Sequence, residues 1–328
     1  MATYDIIGDV HGCANMLHGL LGLLGWERRS NGLYEHADAD RNAVFVGDLV
    51  DRGTEQLETL ETVRSMVDAG SAHIVLGNHE FNAISYAIPD PAQPGEFLRK
   101  HTPKNVDQHK AFVQQLSDDQ RTEWLDWFRT LPLWLELDGL RVAHASWHQA
   151  SIEVLSRELG GNRFPAGNDA FVRANRKGDP IWEAVEVILK GPEIELAPYG
   201  LPPYIDKGGR TRYLARARWW CHDARSIRDL IDLPVGTTDE HRHAYPPIPD
   251  VPCSDHDRSF SYSDPVPVVY GHHWRDWEPD EHVDWTSRTA CVDFSAVGGG
   301  HLVAYQWSGE TQIDPGNYRR FPAGPDAG

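Results

Sequence analysis

Three short apolar runs near the start of the chain each break off at a glycine followed by a polar side chain. Residues 4–7 lead into Gly8-Asp9, residues 43–46 into Gly47-Asp48, and residues 73–76 into Gly77-Asn78. Behind the first run, Leu17, Leu20, Leu21 and Leu24 recur at helical spacing. Behind the second, Leu57, Leu60, Val63 and Val67 mark one face of another helix, which Thr54 is placed to cap. A third helix is expected after "GNHE". Strand-loop-helix units in series predict a mainly parallel sheet, with the three polar loops gathered at the carboxyl ends of its strands.

The pattern changes downstream. Residues 106–130 read as helical, with Ser117 and Gln120 spaced as a capping box. "LWLELDGLRVAHAS" reads as a hairpin closed by Asp138-Gly139 that delivers His144 at its end. "VPVVYGHHW" is a β run delivering His272, and "TACVDFSAVGGGHLVAYQW" reads as a second, glycine-closed hairpin. These later runs predict antiparallel strands, and with them two sheets instead of one. Between residues 151 and 264 the pattern breaks into helical scraps and proline clusters. This stretch separates His144 from His272, so it is expected to be an inserted cap. The predicted organisation is a core of residues 1–150 and 265–312, a cap of residues 151–264, and a tail, residues 313–328, that reads as mobile.

Composition narrows the picture. The chain has 328 residues, 40% of them hydrophobic and arranged in short runs, which supports a large buried core and not disorder. A formal net charge of −18 argues against coating nucleic acid or anionic lipid. No apolar run approaches the length of a membrane span, and "MATYDII" lacks the basic-then-apolar layout of a signal peptide. The expectation is a cytoplasmic protein without membrane contact. Cys13, Cys221, Cys253 and Cys291 are scattered with no CxxC pair and read as free thiols.

The polar residues at the strand ends carry the chemistry. Asp9 and His11 alternate onto one side of an extended segment. Asp48, Asn78, His79, His144 and His272 join them at neighbouring strand ends. Two carboxylates, an amide oxygen and several imidazoles exceed what one organic step needs, but they suit two divalent cations sharing a carboxylate. Mixed oxygen and nitrogen donors favour manganese, iron or zinc over calcium. Two such ions would activate a bridging water and clamp an in-line displacement at phosphorus.

"GDVHG", "GDLVDRG" and "GNHE", in that order, resemble the signature of the calcineurin-like metallophosphoesterases. The last two are most similar to those of PPP-type serine/threonine phosphatases and their bacterial relatives. The resemblance covers residues 1–80 closely and reaches more loosely to "VAHAS", "YGHHW" and "CVDFSAVGGG". It implies an α/β fold (α+β in some schemes): a two-sheet mixed β-sandwich flanked by helices, in four α/β/β/α layers, with an inserted cap. It implies Asp9 and His11 on one metal, Asp48 bridging, and Asn78, His144 and His272 on the other. Manganese is expected foremost, with iron, zinc, nickel or magnesium as alternatives. His79 would be the general acid, held by Asp51, while Arg52 would grip phosphate oxygens with Asn78 also facing substrate. Asp293 falls at the family's late aspartate, near the metals, although Phe294 and Ser295 replace the usual small residues after it. Only one of two adjacent strand residues can enter the site, and the family's Gly-His order selects His272 over His273.

One further feature stands apart. Lys207, Arg210, Arg212, Arg216 and Arg218 form a basic island beside Trp219 and Trp220. It reads either as a solvated helix face over core tryptophans or as a subsite for a second phosphate, a base or a phosphopeptide, with Arg216 and Arg218 as candidates. The leading functional reading is a binuclear-metal phosphatase that hydrolyses phosphomonoesters, with a phosphoprotein or nucleotide substrate, by direct attack of a metal-bridging hydroxide. The alternative is a dinucleoside polyphosphate hydrolase; "GNHE" in place of "GNHD" counts against it and the tryptophan after the late histidines counts for it. A nucleic-acid end phosphatase is disfavoured by the acidic charge. A non-catalytic binding module is disfavoured because every ligand is retained.

Overall fold

Alternation along the strand Thr3–Ile7 sorts its side chains between two cores. Tyr4 and Ile6 join Val44, Val46, Val142, Val269 and Val303 in an apolar layer built from two sheets. Ile7 faces the other way, with Phe45, Leu17, Leu20, Leu60 and Val63, into a core shared with helices. Such a strand is buried on both faces, which is what the centre of a sheet demands. The computed structural model describes residues 2–206, 209–234, 236–275 and 286–322.

The first sheet runs Asp293–Phe294, His301–Trp307, Thr3–Ile7, Arg41–Phe45, Ala72–Ile74, with Tyr318–Pro322 also paired to His301–Trp307. Its three N-terminal strands are parallel, as their strand-loop-helix units require. The helices Ala14–Leu23, Gln56–Asp68 and Asn78–Ala87 follow them in turn. Glu55, not Thr54, is the N-cap of Gln56–Asp68, and its side chain makes no capping bond. Across the first strand, His301–Trp307 runs antiparallel. The second sheet runs Thr289–Cys291, Val268–Tyr270, Leu140–Ala143, Trp134–Leu137. Trp134–Leu137 and Leu140–Ala143 form the expected hairpin, with Gly139 at φ +84° in its turn. The fold is thus a mixed α/β arrangement of two main sheets flanked by helices.

The late strands correct the sequence reading. Val268–Tyr270 lies parallel to both of its neighbours, not antiparallel. A long crossover separates it from Leu140–Ala143, and that crossover returns the chain to the same edge with the same polarity. Both strands therefore end at one rim, bringing His144 and His272 together. "TACVDFSAVGGGHLVAYQW" splits between sheets: Thr289–Cys291 joins the second, whereas Asp293–Phe294 crosses to pair with His301–Trp307 in the first. The expected tail contributes an edge strand, Tyr318–Pro322, whose Phe321 covers the first helix so closely that a Cβ at Gly19 would lie 2.2 Å from its ring. The rest of "FPAGPDAG", residues 323–328, lies outside the described residues.

The stretch 106–130 resolves into three helices, Pro103–Gln108, Lys110–Gln115 and Asp118–Phe128, the last opened by the Ser117–Gln120 capping box. Farther on, Gln149–Leu159 and Pro180–Lys190 place Ile152, Leu155, Ile181, Val185 and Ile188 in the main core. Glu193–Glu195, Leu214–Ala217 and Ile231–Asp232 form a small sheet over a cluster of their own that includes Ile194, Ala215 and Ile231. Arg212 and Arg216 lie on strands, so the basic island is not a helix face; Lys207 lies outside the described residues. Trp219 and Trp220 are core residues. All four cysteines are free. Among the described residues no helix is long and apolar enough to cross a membrane.

One buried charge ties the first sheet together. Asp5 is fully buried and accepts from Arg41 Nη1 at 2.6 Å, Trp26 Nε1 at 2.9 Å and Gln306 Nε2 at 3.2 Å. Arg41→Met should strand this carboxylate with neutral donors only and cost about 3 kcal/mol of stability, read as a lower urea midpoint at unchanged slope.

Candidate metal centre

The rim is assembled from strained backbone. Among the described residues seven non-glycine positions have positive φ, and His11, Asp48, Asp51, Arg52 and His272 are five of them. Each such residue costs on the order of 1 kcal/mol and persists only where its surroundings over-determine it. Glu80 does much of that. Its carboxylate accepts the N–H groups of Asp48 at 2.9 Å, Leu49 at 2.8 Å, Val50 at 3.2 Å and Gly77 at 3.1 Å. The last residue of "GNHE" therefore holds the first turn of "GDLVDRG". Gly77 is required by contact: a Cβ there would lie 2.3 Å from the Asp48 nitrogen and 2.4 Å from Asp48 Oδ1.

Asp48 sits at the centre. Its Oδ2 lies 3.6 Å from His11 Nε2 and 3.9 Å from His79 Nε2, and its Oδ1 lies 3.5 Å from His144 Nε2. Two groups meet on it, His11–Asp48–His79 and Asp48–His144–His272, each with ligand atoms within 4.8 Å of one another. Asn78 Oδ1 is 3.0 Å from His144 Nε2. Asp9 belongs to neither group; its oxygens accept the His272 N–H at 3.2 and 3.3 Å, and its charge bears on Asp48 and Asp293.

These residues fit divalent cations on their own chemistry. His11 Nδ1 donates to Val50 O at 2.8 Å and His144 Nδ1 to Val46 O at 2.7 Å. Those carbonyls fix the proton on Nδ1 and leave both Nε2 lone pairs facing the Asp48 carboxylate. For His11 and His144, separations of 3.6 and 3.5 Å from Asp48 are too long for good hydrogen bonds and suit atoms that share a cation. Burial, with His79 nearby, lowers the His11 pKa to about 3, so the ring is a neutral donor. Burial, then Arg216, holds His272 well below its usual value. Burial, then Asp293 and Asp48, raises Asp9, the mark of crowded carboxylates that a cation would relieve. Burial would raise Asp48 too, but the imidazoles of His144, His79 and His11 outweigh it and lower its pKa.

The remaining candidates fall around this group. His79 Nδ1 meets Asp51 Oδ2 at 2.6 Å; burial disfavours its charged form, but Asp48 and Asp51 together raise its pKa. Arg52 is exposed, and its charge is felt at Asp9, His11, His79 and Asp293. Arg216 reaches the site from the strand Leu214–Ala217, with Nη2 3.4 Å from His272 Nε2. Arg218 instead pairs with Asp232 at 3.6 Å, and Arg212 with Asp206 at 2.7 Å. Asp293 is buried beside Asp9 and Asp48, its Oδ1 accepting the Ser295 N–H at 3.0 Å. His273 turns away and contacts Ala145 O at 2.9 Å; both histidines lie past the end of the strand, and the positive φ of His272, not strand alternation, accompanies the parting of the two rings. Sequence reasoning assigned no role to Glu80, Gln56 or His109. Gln56 Oε1 accepts the Asp51 N–H at 2.9 Å, and His109 Nδ1 lies 3.0 Å from Asp51 Oδ2.

Comparison with known proteins agrees with the signature. Residues 2–186 match the family described as calcineurin-like phosphoesterase. The asymmetrical bis(5'-nucleosyl)-tetraphosphatase PrpE of Halalkalibacterium halodurans is 33% identical over 190 residues, 55% of this chain and 72% of that one. The symmetrical bis(5'-nucleosyl)-tetraphosphatase of a Janthinobacterium species is 35% identical over 164 residues, 48% of this chain and 50% of that one. A solved serine/threonine phosphatase from Saccharomyces cerevisiae aligns with 99% of this chain and 82% of its own at TM-score 0.49 and 15% identity, too loose a likeness to bear on function.

Glu80→Gln places an amide NH₂ against N–H donors. It should weaken Mn²⁺ binding by roughly 10- to 100-fold, measured by calorimetric titration, while the far-ultraviolet circular dichroism stays that of the parent.

Proposed function

The chain belongs to the calcineurin-like phosphoesterase family, a family of metal-dependent phosphoric ester hydrolases, and on that footing we propose that it hydrolyses dinucleoside polyphosphates. The observation that carries the substrate is the pair of relatives just described, both bis(5'-nucleosyl)-tetraphosphatases, each at least 33% identical over about half of this chain. They favour the reading that the sequence alone placed second to phosphomonoesters. The glutamate of "GNHE" loses its weight as a counter-argument, because the Glu80 carboxylate is engaged by four backbone N–H groups.

In this reading Asp9 and His11 would hold one divalent cation, Asn78, His144 and His272 would hold a second, and Asp48 would serve both, with Mn²⁺ foremost. Bound there, such cations would supply an activated water and neutralise charge on the phosphoryl group. The chain's own residues do the rest. Arg52 and Arg216 fork onto phosphate oxygens from two different elements, an arrangement suited to a chain of phosphates more than to a single one. Arg218 stands two residues beyond Arg216 and would meet the farther phosphates only by leaving Asp232. Asn78 faces the substrate as well as the metal. His79, its Nδ1 held by Asp51, presents Nε2 and a proton to the leaving oxygen. Asp293 crowds Asp9, a repulsion that a cation bound there would relieve.

With Mn²⁺ present, the protein should cleave diadenosine tetraphosphate faster than a serine phosphopeptide, read by anion-exchange chromatography. Two molecules of ADP would mark a symmetrical cut, and ATP with AMP an asymmetrical one. Asp48→Asn should lower turnover at least about 100-fold. Faster hydrolysis of the phosphopeptide would overturn the substrate assignment, and full activity of Asp48→Asn would overturn the metal assignment.

A further inference from the structure

Asp51 has two imidazole partners. His79 Nδ1 lies 2.6 Å from its Oδ2, and His109 Nδ1 lies 3.0 Å from Oδ2 and 3.2 Å from Oδ1. All three side chains are buried: Asp51 is 0% exposed, His109 1% and His79 4%. The tautomer of His109 follows from its other nitrogen. Arg99 Nε lies 3.1 Å from His109 Nε2, and a guanidinium nitrogen can only donate. Nε2 is therefore an acceptor, the proton sits on Nδ1, and Nδ1–H donates to Asp51.

This second donor is itself tightly held. Arg99 also donates to Asn82 Oδ1 at 3.1 Å and Gln108 Oε1 at 2.7 Å. The ring of Tyr86 lies 5.0 Å from that of His109. His109 caps one helix and opens the next, Pro103–Gln108 and Lys110–Gln115. Below Asp51, Gln56 clamps the backbone, accepting the Asp51 N–H at 2.9 Å and donating to its carbonyl at 3.2 Å. A carboxylate with one donor turns freely about its broad terminal torsion, whereas one with two fixed donors does not.

We propose that His109 is a positioning residue for phosphoester hydrolysis: through Asp51 it fixes the angle at which His79 offers Nε2 to the leaving oxygen. The inference rests on His79 acting as the acid. General acids lose much of their effect when displaced by about 1 Å, so the consequence is kinetic and selective. Leaving groups that need a proton suffer, and those that depart unaided do not.

The test compares phenyl phosphate, whose leaving group needs protonation, with 4-nitrophenyl phosphate, whose leaving group does not. His109→Leu should lower kcat on phenyl phosphate roughly 10-fold and on 4-nitrophenyl phosphate far less, with KM and Mn²⁺ affinity held. His109→Asn, whose amide N–H stands near the place of Nδ1, should restore much of the ratio; His109→Gln, whose amide reaches the place of Nε2, should not. The Asn and Gln variants carry the comparison by themselves if His109→Leu does not fold. His79→Asn, assayed alongside, should show the same discrimination more strongly. An equal fall on both substrates for His79→Asn would overturn the acid assignment and the inference with it. Discrimination in His79→Asn with none in the His109 variants would overturn the inference alone.

Discussion

The rim depends on one buried carboxylate that belongs to neither candidate ligand group. Glu80 gathers four backbone N–H groups, three from consecutive residues of the second loop and one from the third. Peptide groups cannot converge this way on ordinary backbone. Asp48, Asp51 and Arg52 take up the difference as positive φ. Charge-assisted hydrogen bonds to a water-excluded carboxylate are among the stronger single contacts a protein makes, which is why this strain is sustained. The charge of Glu80 has its own cost: burial and the neighbouring Asp48 push its pKa up to about 7, against His79 and the N–H donors. The outcome is a central aspartate whose position is set by the scaffold before any ligand arrives.

The same logic governs the imidazoles. His11 and His144 each donate to a strand-end carbonyl and so aim the opposite nitrogen at Asp48. His79 is treated differently: its inner nitrogen meets a carboxylate, which favours the protonated ring. Three histidines of similar burial thus acquire two chemical characters from what stands behind them. Asp9, Asp48 and Asp293 supply the opposing charge, packed closely enough that their mutual repulsion is part of what a cation would satisfy.

Much of this was legible in the residues, and the exceptions share a cause. Asp9, Asp48, Asn78, His144 and His272 stand at the ends of apolar runs, and a strand that stops at a polar residue announces itself locally. Glu80, Gln56 and His109 act on groups distant in sequence, so nothing in their own neighbourhood marks them; Glu80 was quoted within a motif and still had no visible partner. The parallel setting of Val268–Tyr270 escaped for a related reason, since hairpin signals describe short connections and this one is long. The basic island is the instructive case. Arg210, Arg212, Arg216 and Arg218 are all an even number of residues apart, which is the period of a strand, yet charge density drew attention toward a helix face.

The pairing of the first strand with the last long one has a temporal consequence. Ile7, two residues before Asp9, pairs with Ala304, while the N–H that Asp9 accepts comes from His272. Contacts of such sequence separation close late, because the loop they seal must first lose its freedom. During synthesis the N-terminal motifs emerge long before their partners do. The three strand-loop-helix units can gather early, but they hold an incomplete set of ligands until the C-terminal strands arrive. The second ligand group, Asp48–His144–His272, is therefore completed only after about 270 residues have been made, whereas His11–Asp48–His79 lies wholly within the first 80.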